Sequence, residues 1–126
     1  MSFAADLSRF QIKTEKQLKT VIRKITMEAF RGVVLRTPVD TGRARANWSP
    51  SIGSASTATS DNTDKSGSGA IATAQKSVFD WNCTGSIFLC NNLPYIGALE
   101  YGHSQQAPGG MVRLTVSDIS AHYGGR

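Results

Sequence analysis

Thr37-Pro38-Val39-Asp40-Thr41-Gly42-Arg43-Ala44-Arg45-Ala46-Asn47-Trp48 is where this chain changes direction, and its reading decides the fold. Pro38 biases Thr37 away from helical geometry, so whatever helix precedes it must stop near Arg36. Asp40 has a short side chain able to bond forward to the backbone and hold a reversal, and Gly42 is expected to supply a positive φ there. Ala46, Trp48 and Ile52 then share one parity, as in a half-buried strand, with Pro50 pointing to an edge or a bulge. Pro38, Asp40 and Gly42 thus form the structural corner between an N-terminal helix and a sheet.

Upstream, residues 1–36 form the N-terminal helical segment, with one long helix expected over 3–36. Leu18, Val21, Ile22, Ile25, Ala29 and Val33 fall on a single stripe of helical period. Lys13, Lys16, Lys19, Arg23, Lys24 and Arg31 lie largely off it. Ser2 or Ser8 is suited to cap the start.

Downstream, Gly53 to Gly69 is almost entirely Ser, Thr, Gly, Ala, Asn and Asp, with no large apolar residue. Residues 53–70 are therefore expected to be a long flexible hairpin loop between two strands. Residues 71–80 and 84–91 read as strands, the second carrying the apolar run Ile87, Phe88 and Leu89. Tyr95 to Tyr101 reads as a short helix ended by Gly102. Val112, Val116, Ile119 and Tyr123 fit a helical stripe, while Val112, Leu114 and Val116 also alternate; the longer period and the Gly124-Gly125 stop favour helix. The expected class is α+β: a long N-terminal and a C-terminal helix packed on a small, mostly antiparallel sheet.

With 126 residues, the chain fits one domain, 1–126, with a single modest core. It has no apolar run of the roughly 20 residues needed to span a bilayer and no order of residues typical of a secretory leader, so no membrane partner and a cytoplasmic site of synthesis are expected. Charge is uneven. Residues 1–48 carry ten Lys/Arg against four Asp/Glu, whereas residues 49–126 carry four against five. A basic half suggests nucleic acid or an acidic protein surface, but a charge run is more often the solvated face of a helix.

Catalytic chemistry is not signalled. Gly67-Ser68-Gly69 lies in low-complexity sequence rather than after a strand, there is no nucleophile elbow, and Asp80 and Glu100 can be paired as acid and base only once their separation is known. Cys83, Cys90, His103 and His122 lack metal-site spacing, and the cysteines read as small hydrophobes, so no metal and no cofactor is expected. Arg43 and Arg45 beside Trp48 would suit a small basic nucleic-acid-binding module, with the ring as a stacking platform. Against this, Trp48 shares strand parity with Ala46 and Ile52, which places it in the core and leaves the arginines for neighbouring subunits.

The segment Thr37 to Arg43, together with Asn92-Leu93-Pro94-Tyr95-Ile96-Gly97-Ala98-Leu99-Glu100-Tyr101-Gly102, resembles a family of tailed-bacteriophage proteins of siphophage type, variously called tail-completion, tail-terminator or head–tail joining (neck) proteins. In that family a long helix runs into a Thr-Pro-Val-Asp-Thr-Gly-Arg corner, followed by strands with a variable hairpin loop, a Tyr-x-x-x-x-Glu-Tyr-Gly segment and a C-terminal helix. The likeness covers most of the chain outside 53–70. Family members often place Pro and Phe just before the last helix, where this sequence has Ala107-Pro108-Gly109-Gly110-Met111. The resemblance implies a non-enzymatic virion protein, assembled in the host cytoplasm into a homo-oligomeric, hexameric ring at the head-proximal end of the tail. Its partners would be the tail tube protein and the head connector or stopper proteins, while the basic N-terminal helix could, independently of the resemblance, make non-specific phosphate contacts to genomic DNA. Arg43, Arg45 and Glu100 would be the candidate subunit interface.

Overall fold

The computed structural model describes residues 13–123. It is an α+β protein with the order α1 (Glu15–Arg36), α2 (Arg43–Ala46), β1 (Ser49–Ile52), α3 (Ser68–Asp80), β2 (Ile87–Cys90), α4 (Ile96–Glu100) and α5 (Val112–Tyr123). The described part of the long helix begins at Glu15, because Thr14 takes extended geometry and its hydroxyl caps the Gln17 amide at 3.1 Å. The expectation of helix over residues 3–12, and of a cap at Ser2 or Ser8, lies outside the described residues.

Helix α1 is the spine. Val33 and Val34 on its last turns join Trp48, Ala70, Ala107 and Met111 in the main core, with Ile71, Leu89, Ile96 and Leu99 packed around them. Val21 and Ile25 meet Ile119 and Tyr123 of α5 in a second cluster. Burying one such side chain contributes about 1.5–3 kcal/mol, so the apolar stripe rather than intrinsic propensity holds α1 in place. The two helices approach closely at Gly32, where a Cβ would lie 2.9 Å from the Thr115 methyl. Thr115 is itself buried, donating to Met111 O at 2.6 Å and accepting from Arg36 Nη1 at 3.0 Å. At the other end of the contact the Tyr123 hydroxyl donates to the Glu28 carboxylate at 2.7 and 2.8 Å; burial and the adjacent carboxylate push its phenol up to about 12.

Three expectations are corrected. Residues 71–80 are not a strand but most of α3, whose Ala70, Ala74 and Val78 bury one face at helical spacing. Alanine is the best helix former, and an i, i+4, i+8 set of small residues lets α3 lie close along α1 and β1. The segment 53–67 is consequently not a hairpin tip: it leads from β1 into α3. The sheet is a two-stranded antiparallel ribbon, Ser49 opposite Cys90 and Ile52 opposite Ile87. Finally, Ala46 closes the one-turn helix α2, so the strand starts only at Ser49; Pro50 sits in an edge strand, as every strand of a two-stranded ribbon is.

Candidate functional site

The corner is built from the end of α1 outward. Thr37, buried where the helix stops, donates its hydroxyl to Val33 O at 2.7 Å and accepts the Trp48 indole N–H at 2.7 Å. Trp48 therefore lies in the core with its one polar atom satisfied, and is not available as a base-stacking platform. Gly42 adopts φ +90, as its position after Asp40 predicts. Asp40 itself is exposed, and the forward bond of the turn comes instead from Thr41, whose hydroxyl accepts from the Arg43 amide at 3.2 Å.

Arg45 reaches back under this corner. It donates to Thr37 O and Leu35 O, each at 2.9 Å, carbonyls that the end of α1 leaves without a helical partner, and to Lys65 O of the segment before α3 at 2.8 Å. Arg43 donates to Ser60 O at 3.1 Å and pairs with Asp61 at 3.1 Å. Buried Asn47 completes the clamp, taking the Ser60 amide on its Oδ1 and giving its Nδ2 to Ser60 O, all at 2.8 Å. Asn92 holds the same segment through Ser56 O and Ala58 O. Asp64 then turns the chain into α3: its backbone N–H donates to Gly42 O, and its carboxylate accepts from the Gly67 and Ala70 amides. The backbone of 53–67 is thus anchored at Ser56, Ala58, Ser60 and Asp64, largely by side chains from outside the segment.

Glu100 performs the same kind of task at the other motif. Its carboxylate accepts from the amides of Met111, Val112 and Arg113 at 3.0, 2.8 and 3.0 Å, and pairs with Arg113 Nε at 3.1 Å. It is a distant N-cap for α5, eleven residues upstream of the first amide it receives. Burial alone would raise its pKa, but these backbone bonds, with the Arg113 side chain, outweigh it and hold the carboxyl below the usual glutamate range. Arg113 also stacks over Tyr101, 5.1 Å from the ring centre.

The two motifs meet. Pro38 to Ala44 and Tyr95, Leu99 and His103 line one groove, and Gln106 bridges its rim by accepting from Val39 N at 2.8 Å and donating to Val39 O at 3.0 Å. Within the subunit, however, Arg43 and Arg45 do not face Glu100: the arginines bind backbone of the 53–67 segment and of the end of α1, and Glu100 binds α5. Asp80 lies at the exposed end of α3 and Glu100 is committed to its cap, so the two make no acid–base pair. Sequence reading missed Asn47, Asp64, Asn92 and Gln106. Only Asp64, three residues ahead of Gly67 and followed by a helical Ala70, Ala74, Val78 spacing, carried a local signal.

Further arginines are used similarly. Arg23 donates to Val78 O and Trp81 O at the end of α3, and Arg36 pairs with Asp118 of α5. Of the basic half, Arg23 and Arg45 thus hold helix-end carbonyls and Arg36 ties α1 to α5, while Lys13, Lys16 and Arg31 are exposed. Cys83 and Cys90 are free thiols. Among the described residues no His, Cys, Asp and Glu group could hold a metal ion, and no helix is long and apolar enough to cross a membrane. No protein-family model, curated protein or solved structure matches this chain.

These contacts set an expectation for charge reversal. Arg45→Glu should lower folding stability by about 2–3 kcal/mol, since hydrogen bonds from a charged donor contribute about 1.5–3 and three carbonyls lose theirs. Arg43→Glu, at a more exposed pair, should cost about 1 kcal/mol or less. Chemical denaturation of the two single variants checks the order; equal small losses would show that Arg45 does not hold the corner.

Proposed function

We propose that this chain is a structural protein of a tailed-phage virion that forms a ring, hexameric in subunit number, at the head-proximal end of the tail. There it terminates the tube and presents a surface to the head connector or stopper proteins; it has no catalytic role. The observation that carries the reading is the pair of segments that resemble the tail-completion and neck family, Thr37–Arg43 and Tyr95–Gly102, which lie side by side around one groove. An enzyme needs convergent reactive groups, whereas here Arg43 and Glu100, the charged groups of the two segments other than the exposed Asp40, are engaged in holding backbone. The interior is rigidly tied while Leu35, Ile52, Phe79, Tyr95, Tyr101, Val112 and Leu114 remain exposed, a distribution suited to a subunit that buries surface on assembly. Exposed Lys13, Lys16 and Arg31 would permit phosphate contacts, without sequence preference, to DNA passing nearby.

Assembly is the test. Native mass measurement and negative-stain images of the purified protein, and of tails purified from infected cells, should show a six-subunit ring, free or seated at one tail end. A monomer at high concentration, combined with absence from completed tails, would remove this function. Salt-sensitive retention on DNA with no ring would instead favour a basic nucleic-acid-binding module.

A further inference from the structure

The two strands of the ribbon differ at their outer edges. The bond from Gly53 N to Ser86 O continues the ladder, so the pairs that alternate with it, Ser51 with Phe88 and Ser49 with Cys90, are the hydrogen-bonded ones. Ile52 with Ile87 and Pro50 with Leu89 are then the non-bonded pairs, whose backbone N–H and C=O groups point away from the neighbouring strand. On β1 the outward positions are Pro50, which has no N–H, and Ile52. On β2 they are Ile87 and Leu89, each with a donor and an acceptor, and among the described residues no third strand takes them up. Edges of this kind are ordinarily protected by charge, proline or a bulge, whereas Ser86-Ile87-Phe88-Leu89-Cys90 is uncharged, free of proline and regular in register. Edge β1 is blunted; edge β2 is open.

Backbone chemistry selects the occupant. Set antiparallel about a two-fold axis at Phe88, the β2 strands of two copies place Ile87 opposite Leu89, and four inter-strand bonds satisfy every outward group of both edges. The same edge against β1 of another copy, in the register that continues the sheet, forms three, because Pro50 leaves the Leu89 carbonyl without a donor. Side chains agree with the two-fold pair. Leu89 packs on the main core and Phe88, half-buried, lies on the opposite face with Ser49, Ser51 and Cys90. Pairing therefore sets the two Phe88 rings against each other on one face, and Ile87 beside Leu89 on the other, where the ladder partner of Ile87, Ile52, is 49% exposed.

From this edge we infer that the protein pairs with a second copy of itself through β2, giving a four-stranded antiparallel sheet of order β1-β2-β2-β1. The pair goes beyond the ring reading and does not rest on it; three such pairs make six subunits, so the two are compatible. Ile87→Pro removes an outward donor at the first residue of β2, where proline is tolerated, and leaves the bonds of Phe88 and Cys90 to β1. Sedimentation of wild type should give a dimer that this change weakens by roughly tenfold or more, since two of the four bonds lose their donor. Cross-linking tests the register without relying on that variant. In a background with Cys83→Ser and Cys90→Ser, Phe88→Cys should give a disulfide-linked dimer under oxidation, because directly opposed non-bonded positions hold their Cα atoms about 4.5 Å apart. Ile87→Cys in the same background should not, its counterpart being displaced by two residues to about 8 Å, beyond disulfide reach.

The alternatives give different results. Equal linkage at both positions would mean random collision, and linkage only when Phe88→Cys and Ser51→Cys proteins are mixed would put β1 of another copy on the edge; either overturns the pair. A wild-type monomer at high concentration overturns it too, and slow hydrogen exchange at the Ile87 and Leu89 amides of that monomer would show the edge to be covered within the chain. Six-subunit rings without linkage at Phe88→Cys would overturn the pair and leave the ring reading standing. Linked dimers that never form a ring, free or on tails, would uphold the pair and remove the ring.

Discussion

Gly42→Val is expected to abolish the folded state or leave it barely populated, with a loss of about 4 kcal/mol against a typical total of 5–15 kcal/mol. Two costs coincide. At φ +90 a β-branched residue is forced into left-handed geometry, which costs about 1–2 kcal/mol for an ordinary side chain and more for a branched one. A Cβ there would also lie 2.6 Å from the Lys65 amide nitrogen and 2.8 Å from Asp64 backbone atoms. Backbone cannot swing aside as a side chain would, so overpacking adds about 1–3 kcal/mol. Relief requires moving the 64–65 segment away, which also breaks the 3.0 Å bond from Asp64 N to Gly42 O and displaces the cap of α3. Gly42→Ala separates the terms, because it keeps the Cβ clash and lightens the strain of branching. Equilibrium denaturation should rank wild type above Gly42→Ala above Gly42→Val; a Val variant with wild-type melting would show that the corner does not need a left-handed residue.

Glu100→Ala is expected to destabilise the protein by about 3 kcal/mol, since it leaves three amides at the start of α5 without their acceptor and Arg113 without its partner. Met111, fully buried in the main core, is the first residue whose amide is released, so the loss reaches the packing between α5 and α1. Glu100→Gln keeps a carbonyl acceptor without the charge and should lose about half as much. Acid offers an independent check. Because the folded carboxyl titrates below its ordinary value of 4.5, the stabilisation is complete above the unfolded value and disappears as pH falls through the folded one. The melting temperature of wild type should fall more steeply than that of Glu100→Gln as pH drops below the ordinary glutamate value, and the two curves should converge at the acid end. Parallel curves across that window would mean that the charge of Glu100 contributes nothing to the cap.

What the sequence determined by itself was the set of features encoded within a few neighbouring residues. The end of α1 followed from Pro38, the left-handed turn from Gly42 after Asp40, the apolar face of α1 from its period, and the α4 and α5 segments from Tyr95–Tyr101 and Val112–Tyr123. Each rests on local sterics or on spacing along one element, which a one-dimensional reading can detect. The class α+β followed from the same signals. Residues 71–80 failed because isolated apolar residues among Ala, Thr and Ser fit either period, and the decision was made by packing: Ala70, Ala74 and Val78 are small enough for α3 to lie against α1 and β1. Only the tertiary structure decided the roles of the charged and amide side chains. Arg45 meets Leu35, Glu100 meets Met111, Asn47 meets Ser60 and Gln106 meets Val39 across separations that leave no pattern in the chain, because a hydrogen bond needs two atoms within about 3 Å and is indifferent to how many residues lie between them.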